Sequence, residues 1–191
     1  MFRILKRRYN ITTIKQLNNQ TIFQPNIKPK LVVFDIDHTL WPFGVDSFCF
    51  TPPYHVCKTT GKVMDMSNKP IEYFPDTLIV LKYLQSINVA VAVASRTRYP
   101  SGANELLKFL NLSQYIKYFE TYPGQKIKHF HRLRDQSGAQ FDEMIFFDDE
   151  ERNIIDVSEL GVYCVLVDHD SGATEAVVKE SLAKFAQQKQ Q

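Results

Sequence analysis

Acidic, hydroxyl and lysine side chains stand directly after the short apolar runs of this sequence. Asp35 and Asp37 follow the run LVVF, and Ser95 follows the run VAVAVA. Lys126 begins a later helical pattern, and the pair Asp148-Asp149 follows the run MIFF. Because the carboxyl ends of neighbouring parallel strands share one edge of a sheet, these side chains are expected to converge there.

This set of residue types suits phosphoryl transfer. Of two carboxylates separated by one residue on a sharp turn, one can attack phosphorus and the other can give a proton to the leaving oxygen and then activate water. Carboxylates and substrate oxygens together form an oxygen-only site that suits Mg²⁺. A lysine and backbone N–H groups can hold the charge that develops on the equatorial oxygens.

Each of these residues by itself also fits a plain structural role. An Asp-x-Asp is common in loops, Asp148-Asp149 can cap a helix, and Ser95 or Lys126 can be a cap or a surface charge. Their joint occurrence at successive strand ends, in the order that the chemistry needs, favours the catalytic interpretation.

The elements that must position these residues alternate along the chain. Buried apolar runs predict strands at 30–35, 89–94, 119–122, 144–147 and 162–167. Helical spacing predicts helices at 75–86, 102–112, 125–137, 154–160 and 173–187, with Gly138 and Gly161 as stops. Strands alternating with helices indicate an α/β fold, with a parallel sheet covered on both faces.

Residues 41–74 interrupt the alternation. Turn signals separate two possible strand pieces at 62–66 and 71–74, which predicts a loop with a small β-hairpin flap above the site. The segment is too short for a cap domain of its own. Trp41 and Phe43 in it are interpreted as loop packing.

The composition is that of one globular domain. Of the 191 residues, 44% are hydrophobic and 23% are charged. No apolar run approaches the ~18 residues that a membrane span needs. Three cysteines without a CxxC pair argue against a disulfide scaffold or a zinc ribbon, and indicate a reducing, intracellular environment.

Positive charge is concentrated at the N-terminus. Residues 1–30 carry seven basic side chains and no acid, whereas the rest of the chain carries 16 basic and 21 acidic ones, a net of −5. A domain with a net negative charge is a poor candidate for sequence-independent nucleic-acid binding. We expect no nucleic-acid and no membrane partner, with a basic tail over 1–28, one domain over 29–187 and a short C-terminal tail over 188–191.

The basic tail leaves the location of the protein open. It bears arginine and lacks acid, as mitochondrial presequences do, and it has no apolar segment long enough for a secretory signal. A solvated extension explains the same composition. Cytoplasmic and mitochondrial locations are therefore both retained.

Longer motifs in the sequence resemble those of a known family. FDIDHTLWPF at 34–43 is similar to the D-x-D-x-T signature of haloacid dehalogenase (HAD)-type phosphatases. The WPF extension, with ASRT at 94–97, YPGQKIKHF at 122–130 and IFFDDEERNIIDV at 145–157, resembles the eukaryotic magnesium-dependent phosphatase-1 group. The resemblance covers about residues 29–187 and implies a capless, HAD-like Rossmannoid fold.

The resemblance implies a role for each matching residue. Asp35 would be the nucleophile that forms an aspartyl-phosphate, and Asp37 would be the general acid and base. The substrate would be bound by Ile36, Ser95, Arg96 and Lys126. Mg²⁺ would be held by Asp35, the backbone carbonyl of Asp37 and Asp149. Asp149 is preferred over Asp148 because relatives with a paired-acid fourth motif coordinate through the second position, and both stay open.

The resemblance also implies an activity, that of a magnesium-dependent acid phosphatase or a protein-tyrosine-phosphatase-type monoester hydrolase. The implied partners are phosphotyrosine proteins or small phosphorylated molecules such as fructosamine-6-phosphates, acted on by a monomer. Two positions depart from the group. Gly44 stands where a second Trp usually borders the substrate, and His38 replaces a Tyr and is expected to pack or to hydrogen-bond at the surface.

Two other kinds of function fit parts of the pattern. A receiver-like signalling module would use a phospho-Asp as a switch, but receivers carry that Asp on the third strand, and here the third strand ends without one. Asp37 also distinguishes an enzyme from a receiver-like module. A switch needs slow loss of the phosphoryl group from its phospho-Asp, and a general acid/base speeds that step. A catalytically inactive interaction protein would have no need of the complete residue set.

Overall fold

The computed structural model describes residues 16–17, 20–21, 27–47 and 49–190. The strands in these ranges are β1 (Gln16–Leu17), β2 (Gln20–Thr21), β3 (Leu31–Phe34), β4 (His55–Val56), β5 (Val63–Met64), β6 (Pro70–Ile71), β7 (Ala90–Ser95), β8 (Tyr118–Thr121), β9 (Met144–Asp148) and β10 (Tyr163–Leu166). The α-helices are α1 (Thr77–Ser86), α2 (Pro100–Phe109), α3 (Lys126–Ser137), α4 (Glu151–Ser158) and α5 (Glu175–Gln188). None of these helices is both long and apolar enough to cross a membrane.

The centre of the domain is a five-stranded parallel sheet with the order β10-β9-β3-β7-β8. The chain runs from β3 to β7 on one side and later returns to β9 on the other, so the direction of winding reverses beside β3. Such a reversal is the point at which open α/β sheets bind ligands. The predicted α/β fold is confirmed, and the five strands lie within one residue of their predicted bounds.

The side chains of β3 alternate between two apolar layers. Val32 and Phe34 pack with α1, α2 and α5, whereas Leu31 and Val33 pack with α3 and α4. All four side chains are fully buried. A strand covered on both faces appears in the sequence as a continuous apolar run. Polar residues follow where the strand ends.

The predicted stop of α3 is confirmed. Gly138 lies in the left-handed region with a φ of +71°, and its N–H donates to the carbonyl of Arg134. Glycine adopts this conformation without a Cβ clash, so it commonly ends helices.

A small antiparallel sheet with the order β4-β5-β6 lies between β3 and α1. The predicted hairpin is corrected in two ways, because β4 adds a third strand and the last strand is Pro70–Ile71 rather than 71–74. Val63 and Ile71 belong to the main apolar core. The segment is therefore an extension of the domain and not a cap.

The predicted basic tail lies largely outside the described residues. Within it, β1 and β2 pair as antiparallel strands, with Gln16 opposite Thr21. The ammonium of Lys28 donates to the carbonyl of Ile87 at 2.8 Å. The boundary at residue 28 stays a prediction.

Gly172 lets two loops of the domain meet. Its φ is +65°, and a Cβ atom there would lie 2.5 Å from both the Thr39 carbonyl oxygen and the Phe74 ring. The same oxygen accepts a hydrogen bond from the Ala173 N–H at 3.0 Å, so it has little freedom to move. We expect Gly172→Ala to lower the free energy of unfolding by about 3 kcal/mol and Tm by roughly 6–12 °C, measured by circular dichroism.

Gly138→Ala is the matched control. Its φ is equally positive, but no atom lies within 4 Å of the added Cβ. This variant should lose only about 1 kcal/mol, from backbone strain alone. Equal losses in the two variants would contradict the steric argument.

Candidate active site

Asp35 and Asp37 line one cavity of about 640 Å³ at the end of β3. The chain turns sharply after Asp35, where the N–H groups of Thr39 and Leu40 both donate to the Ile36 carbonyl. The other predicted site residues that line this cavity are Ser95, Arg96 and Asp149. The structure therefore brings the strand-end residues together as the sequence predicted.

Lys126 lies beneath the cavity with its side chain fully buried. Its ammonium donates to a carboxylate oxygen of Asp35 and to the carbonyl of Ala94. It also lies 3.2 Å from an oxygen of Asp148. One buried charge thus ties the ends of β3, β7 and β9 to the first residue of α3.

The pKa values of these buried groups are linked. Burial lowers the pKa of Lys126, but Asp35 and Asp148 outweigh burial and raise that pKa above its usual range. Burial raises the pKa of Asp35 well above its usual range; Lys126 opposes this shift, whereas Asp148 and Asp37 add to it. In this cluster one buried ammonium group therefore lies between two carboxyl groups, those of Asp35 and Asp148.

Asp37 is held by two donors. Trp41 Nε1 donates to Oδ1 at 2.8 Å, and the Val45 N–H donates to Oδ2 at 3.0 Å. Burial raises the pKa of Asp37 to about 6, and the two hydrogen bonds act in the opposite direction. A carboxyl group that titrates there can give and take a proton near neutral pH.

Trp41 is fully buried and stacks on Phe43 with ring centroids 5.1 Å apart. The prediction of loop packing is confirmed. The sequence did not indicate the second role of Trp41, in which the indole N–H orients Asp37.

Ser95 and Arg96 occupy the end of β7 and line the cavity. Arg96 Nε donates to the Gly124 carbonyl at 3.0 Å, and Nη1 donates to Asn153 Oδ1 at 3.0 Å. Ile36, which is also predicted to bind the substrate, has a fully buried side chain in the apolar core. Ile36 can therefore meet a ligand only through its backbone.

The two neighbouring acids at the end of β9 have different surroundings. Asp148 is fully buried, and its carboxylate accepts from Asn153 Nδ2 at 3.1 and 3.0 Å and from the Glu150 N–H at 2.8 Å. Asp149 lines the cavity and accepts from His169 Nδ1 at 2.8 Å. Asp149 is thus the acid with access to a ligand, whereas Asp148 holds Lys126.

The donors at this edge fit a divalent cation. Asp35 and Asp149 present carboxyl oxygens to one cavity, and oxygen donors suit Mg²⁺. Within the described ranges, no three His, Cys, Asp or Glu side chains form a metal cluster. The predicted set is compatible with this finding because its third donor, at Asp37, is a backbone carbonyl. The ligand assignment stays a prediction.

His38 packs against another histidine, and packing is one of the two roles that the sequence predicts for it. Its ring stacks on His169 with centroids 3.7 Å apart, and both residues line the cavity. Further lining residues that the sequence did not single out are Asp46, Arg98, Tyr99 and His169. They lie in loops, where no periodicity marks them.

The predicted flap does not cover the site. Among the described residues, none from 51 to 74 lines the cavity that contains Asp35, because the apolar side of this sheet packs into the core. The part of the segment that reaches the cavity is the turn Val45–Ser47, through Asp46. At Gly44 a Cβ would lie 3.9 Å from an Asp37 oxygen, so the missing side chain leaves this flank of Asp37 open.

The sequence of this chain is similar to those of known proteins. Residues 27–188 match the family model described as Acid Phosphatase. The human protein named magnesium-dependent phosphatase 1 is 46% identical over 158 residues, which cover 83% of this chain and 88% of that protein. A HAD-like hydrolase superfamily protein of Schizosaccharomyces pombe is 35% identical over 144 residues, covering 70% and 83% of the two chains.

Solved structures share the fold at low sequence identity. A HAD-superfamily hydrolase from Ehrlichia chaffeensis superposes with a TM-score of 0.58 at 12% identity, covering 85% of this chain and 98% of that one. A Bacteroides fragilis phosphatase domain complexed with Mg gives a TM-score of 0.60 at 18% identity, covering 82% and 40%. The chain therefore belongs to the acid phosphatase family, within the HAD-like hydrolases and close to the magnesium-dependent phosphatase-1 group.

Proposed function

We propose that this protein is a Mg²⁺-dependent phosphomonoesterase that works through an aspartyl-phosphate on Asp35. The observation that carries the proposal is the buried Lys126 beneath Asp35, at a cavity that Asp37 and Asp149 also line. A lysine in this place neutralises an attacking carboxylate and, later, the phosphoryl group that it carries.

In the first step an Asp35 oxygen attacks phosphorus and the ester oxygen leaves. Asp37 gives that oxygen its proton. Trp41 and Val45 donate hydrogen bonds to the two Asp37 oxygens and so fix the orientation of this carboxyl group. Ser95 and Arg96 bind the phosphate oxygens from the end of β7.

In the second step water attacks the phosphoryl group, Asp37 takes a proton from that water, and the bond between phosphorus and the Asp35 oxygen breaks, which releases inorganic phosphate and regenerates the Asp35 carboxylate. The pKa of Asp37, raised by burial to about 6, suits both transfers. This property favours an enzyme over a receiver-like switch, whose phospho-Asp must persist.

Asp35, Asp149 and the Asp37 carbonyl would hold the Mg²⁺. When bound, the ion neutralises charge on the phosphate and on the nucleophile, so that the two anions can approach. The relative named magnesium-dependent phosphatase 1 supports this cofactor.

Two substrate classes are candidates, phosphotyrosine in proteins and fructosamine-6-phosphates. The described residues form no cap domain over the cavity, and Tyr99 and the stacked rings of His38 and His169 line it. Large and small phosphomonoesters should therefore both reach Asp35.

Asp35→Asn should reduce turnover by at least about 10³-fold, because an amide is a poor nucleophile. Asp37→Asn should slow the hydrolysis of alkyl phosphates by about 10²–10⁴-fold. It should slow the hydrolysis of 4-nitrophenyl phosphate less, since that leaving group needs no proton. Steady-state kinetics and trapping of the phosphoenzyme measure both effects. Asp135→Asn, on the exposed surface, is the control, and full activity in the Asp35 variant would falsify the mechanism.

Chelation with EDTA should abolish activity, and Mg²⁺ should restore it. Ca²⁺ should bind but support little turnover. Its larger and looser coordination shell can engage both carboxylate oxygens of Asp35, so neither oxygen would be free to attack phosphorus. Asp149→Asn should raise the Mg²⁺ concentration needed for half-activation.

Asp148→Asn separates the two acids. It removes a partner of buried Lys126, so we expect a loss of about 3–5 kcal/mol in the free energy of unfolding. Asp149→Asn should leave thermal stability nearly unchanged. The opposite pattern, with Asp148 controlling Mg²⁺ affinity alone, would show that the ligand is misassigned.

Trp41→Phe should move the alkaline limb of the pH–rate profile to higher pH. The acid form of Asp37 is lost as pH rises through about 6, and the Trp41 hydrogen bond lowers this pKa. Without the bond the pKa rises, so the acid form persists further. The profile of kcat/KM for phenyl phosphate measures the shift. Phe43→Leu, which removes packing but no donor to Asp37, should leave the limb in place.

A further inference from the structure

The cavity is lined by three arginines, of which the proposed chemistry uses only Arg96. Arg96 and Arg152 both pair with Glu150, at 3.4 and 2.8 Å. Lys126 is occupied by acids beneath the floor. Arg98 lines the same cavity and is exposed, and no ion pair among the described residues involves it.

A carboxylate fixes the backbone at Arg98. Both oxygens of Asp46 accept from the Arg98 N–H, at 3.0 and 2.9 Å, and Oδ1 also accepts from Thr97 Oγ1 at 2.6 Å. Asp46 lies in the turn Val45–Ser47, whose first N–H donates to the Asp37 carboxylate. The loop that carries Arg98 is thus tied to the loop of the general acid, while the guanidinium stays accessible.

Arg98 belongs to the exposed part of the cavity lining. Ser95, which is expected to meet the phosphate, lines the cavity and is 2% exposed, and Lys126 lies beneath it at 1% exposed, so the phosphate is expected at the buried floor of the cavity. A cavity of about 640 Å³ has the size of a small-molecule site and is much larger than a phosphate group. The organic part of the substrate must therefore extend towards the rim.

We propose that Arg98 binds a second anionic group, a carboxylate or a phosphate, at the end of the substrate farthest from the scissile phosphate. The proposal rests on the proposed phosphatase function and narrows its substrate class to phosphomonoesters with two anionic ends. A guanidinium suits this role because its planar donors bind carboxylate or phosphate in a bidentate manner. Since Arg98 is exposed, salt should weaken the contact.

Matched substrate pairs test this subsite. 6-Phosphogluconate and sorbitol 6-phosphate differ in one end group, carboxylate against hydroxymethyl, and fructose 1,6-bisphosphate and fructose 6-phosphate test a phosphate in that place. The Mg²⁺-loaded full chain should prefer the doubly anionic member of at least one pair by about tenfold in kcat/KM, chiefly through KM, at low ionic strength.

Three variants assign the preference to one side chain. Arg98→Gln should bring the ratio within each pair close to one, and Arg98→Lys should retain part of it. Arg152→Gln is the matched control, an arginine that lines the same cavity but is paired with Glu150, and it should keep the wild-type ratio.

The outcomes are distinguishable. Wild-type ratios near one for both pairs, or a ratio that survives in Arg98→Gln, would overturn the subsite while leaving the phosphatase function intact. Failure of the wild type to hydrolyse 4-nitrophenyl phosphate would overturn the proposed function, and the subsite with it.

Discussion

One buried ammonium group holds the catalytic edge of this domain together. The side chain of Lys126 has no exposed surface, and its partners Asp35, Ala94 and Asp148 come from three strands. Removing one partner of a buried ion pair costs about 3–5 kcal/mol, because the remaining charge stays buried and uncompensated. The strand ends and the start of α3 are therefore stable only in the arrangement that neutralises this charge. That same arrangement places Asp35 in the cavity.

The sequence was a good guide wherever local pattern decides structure. The strand β3 was predicted within one residue because both its faces are buried and it reads as a continuous apolar run. The convergence of Asp35, Ser95 and Asp149 followed from the topology of parallel sheets. By contrast, β4 was missed, since His55 and Val56 are both exposed and give no apolar alternation.

The missed parts of the site are contacts between loops. Asp46 binds Thr97 and Arg98 across about fifty residues, and His169 binds Asp149 across twenty. No spacing rule connects such positions, because the sheet alone brings the loops together. Solved structures at 12% and 18% identity share this fold, so the fold is compatible with very different sequences. Function resides in side chains added at the strand ends and loops.

Trp41 is the single tryptophan in the sequence, and it is both fully buried and bonded to Asp37. The intrinsic fluorescence of the protein therefore comes, apart from tyrosine, from one indole hydrogen-bonded to Asp37, the proposed general acid. A change in the charge or position of Asp37 acts directly on the excited state of that ring. The native chain thus carries an optical reporter at its own reaction centre, so that ligand binding and the turnover cycle can be followed without a label.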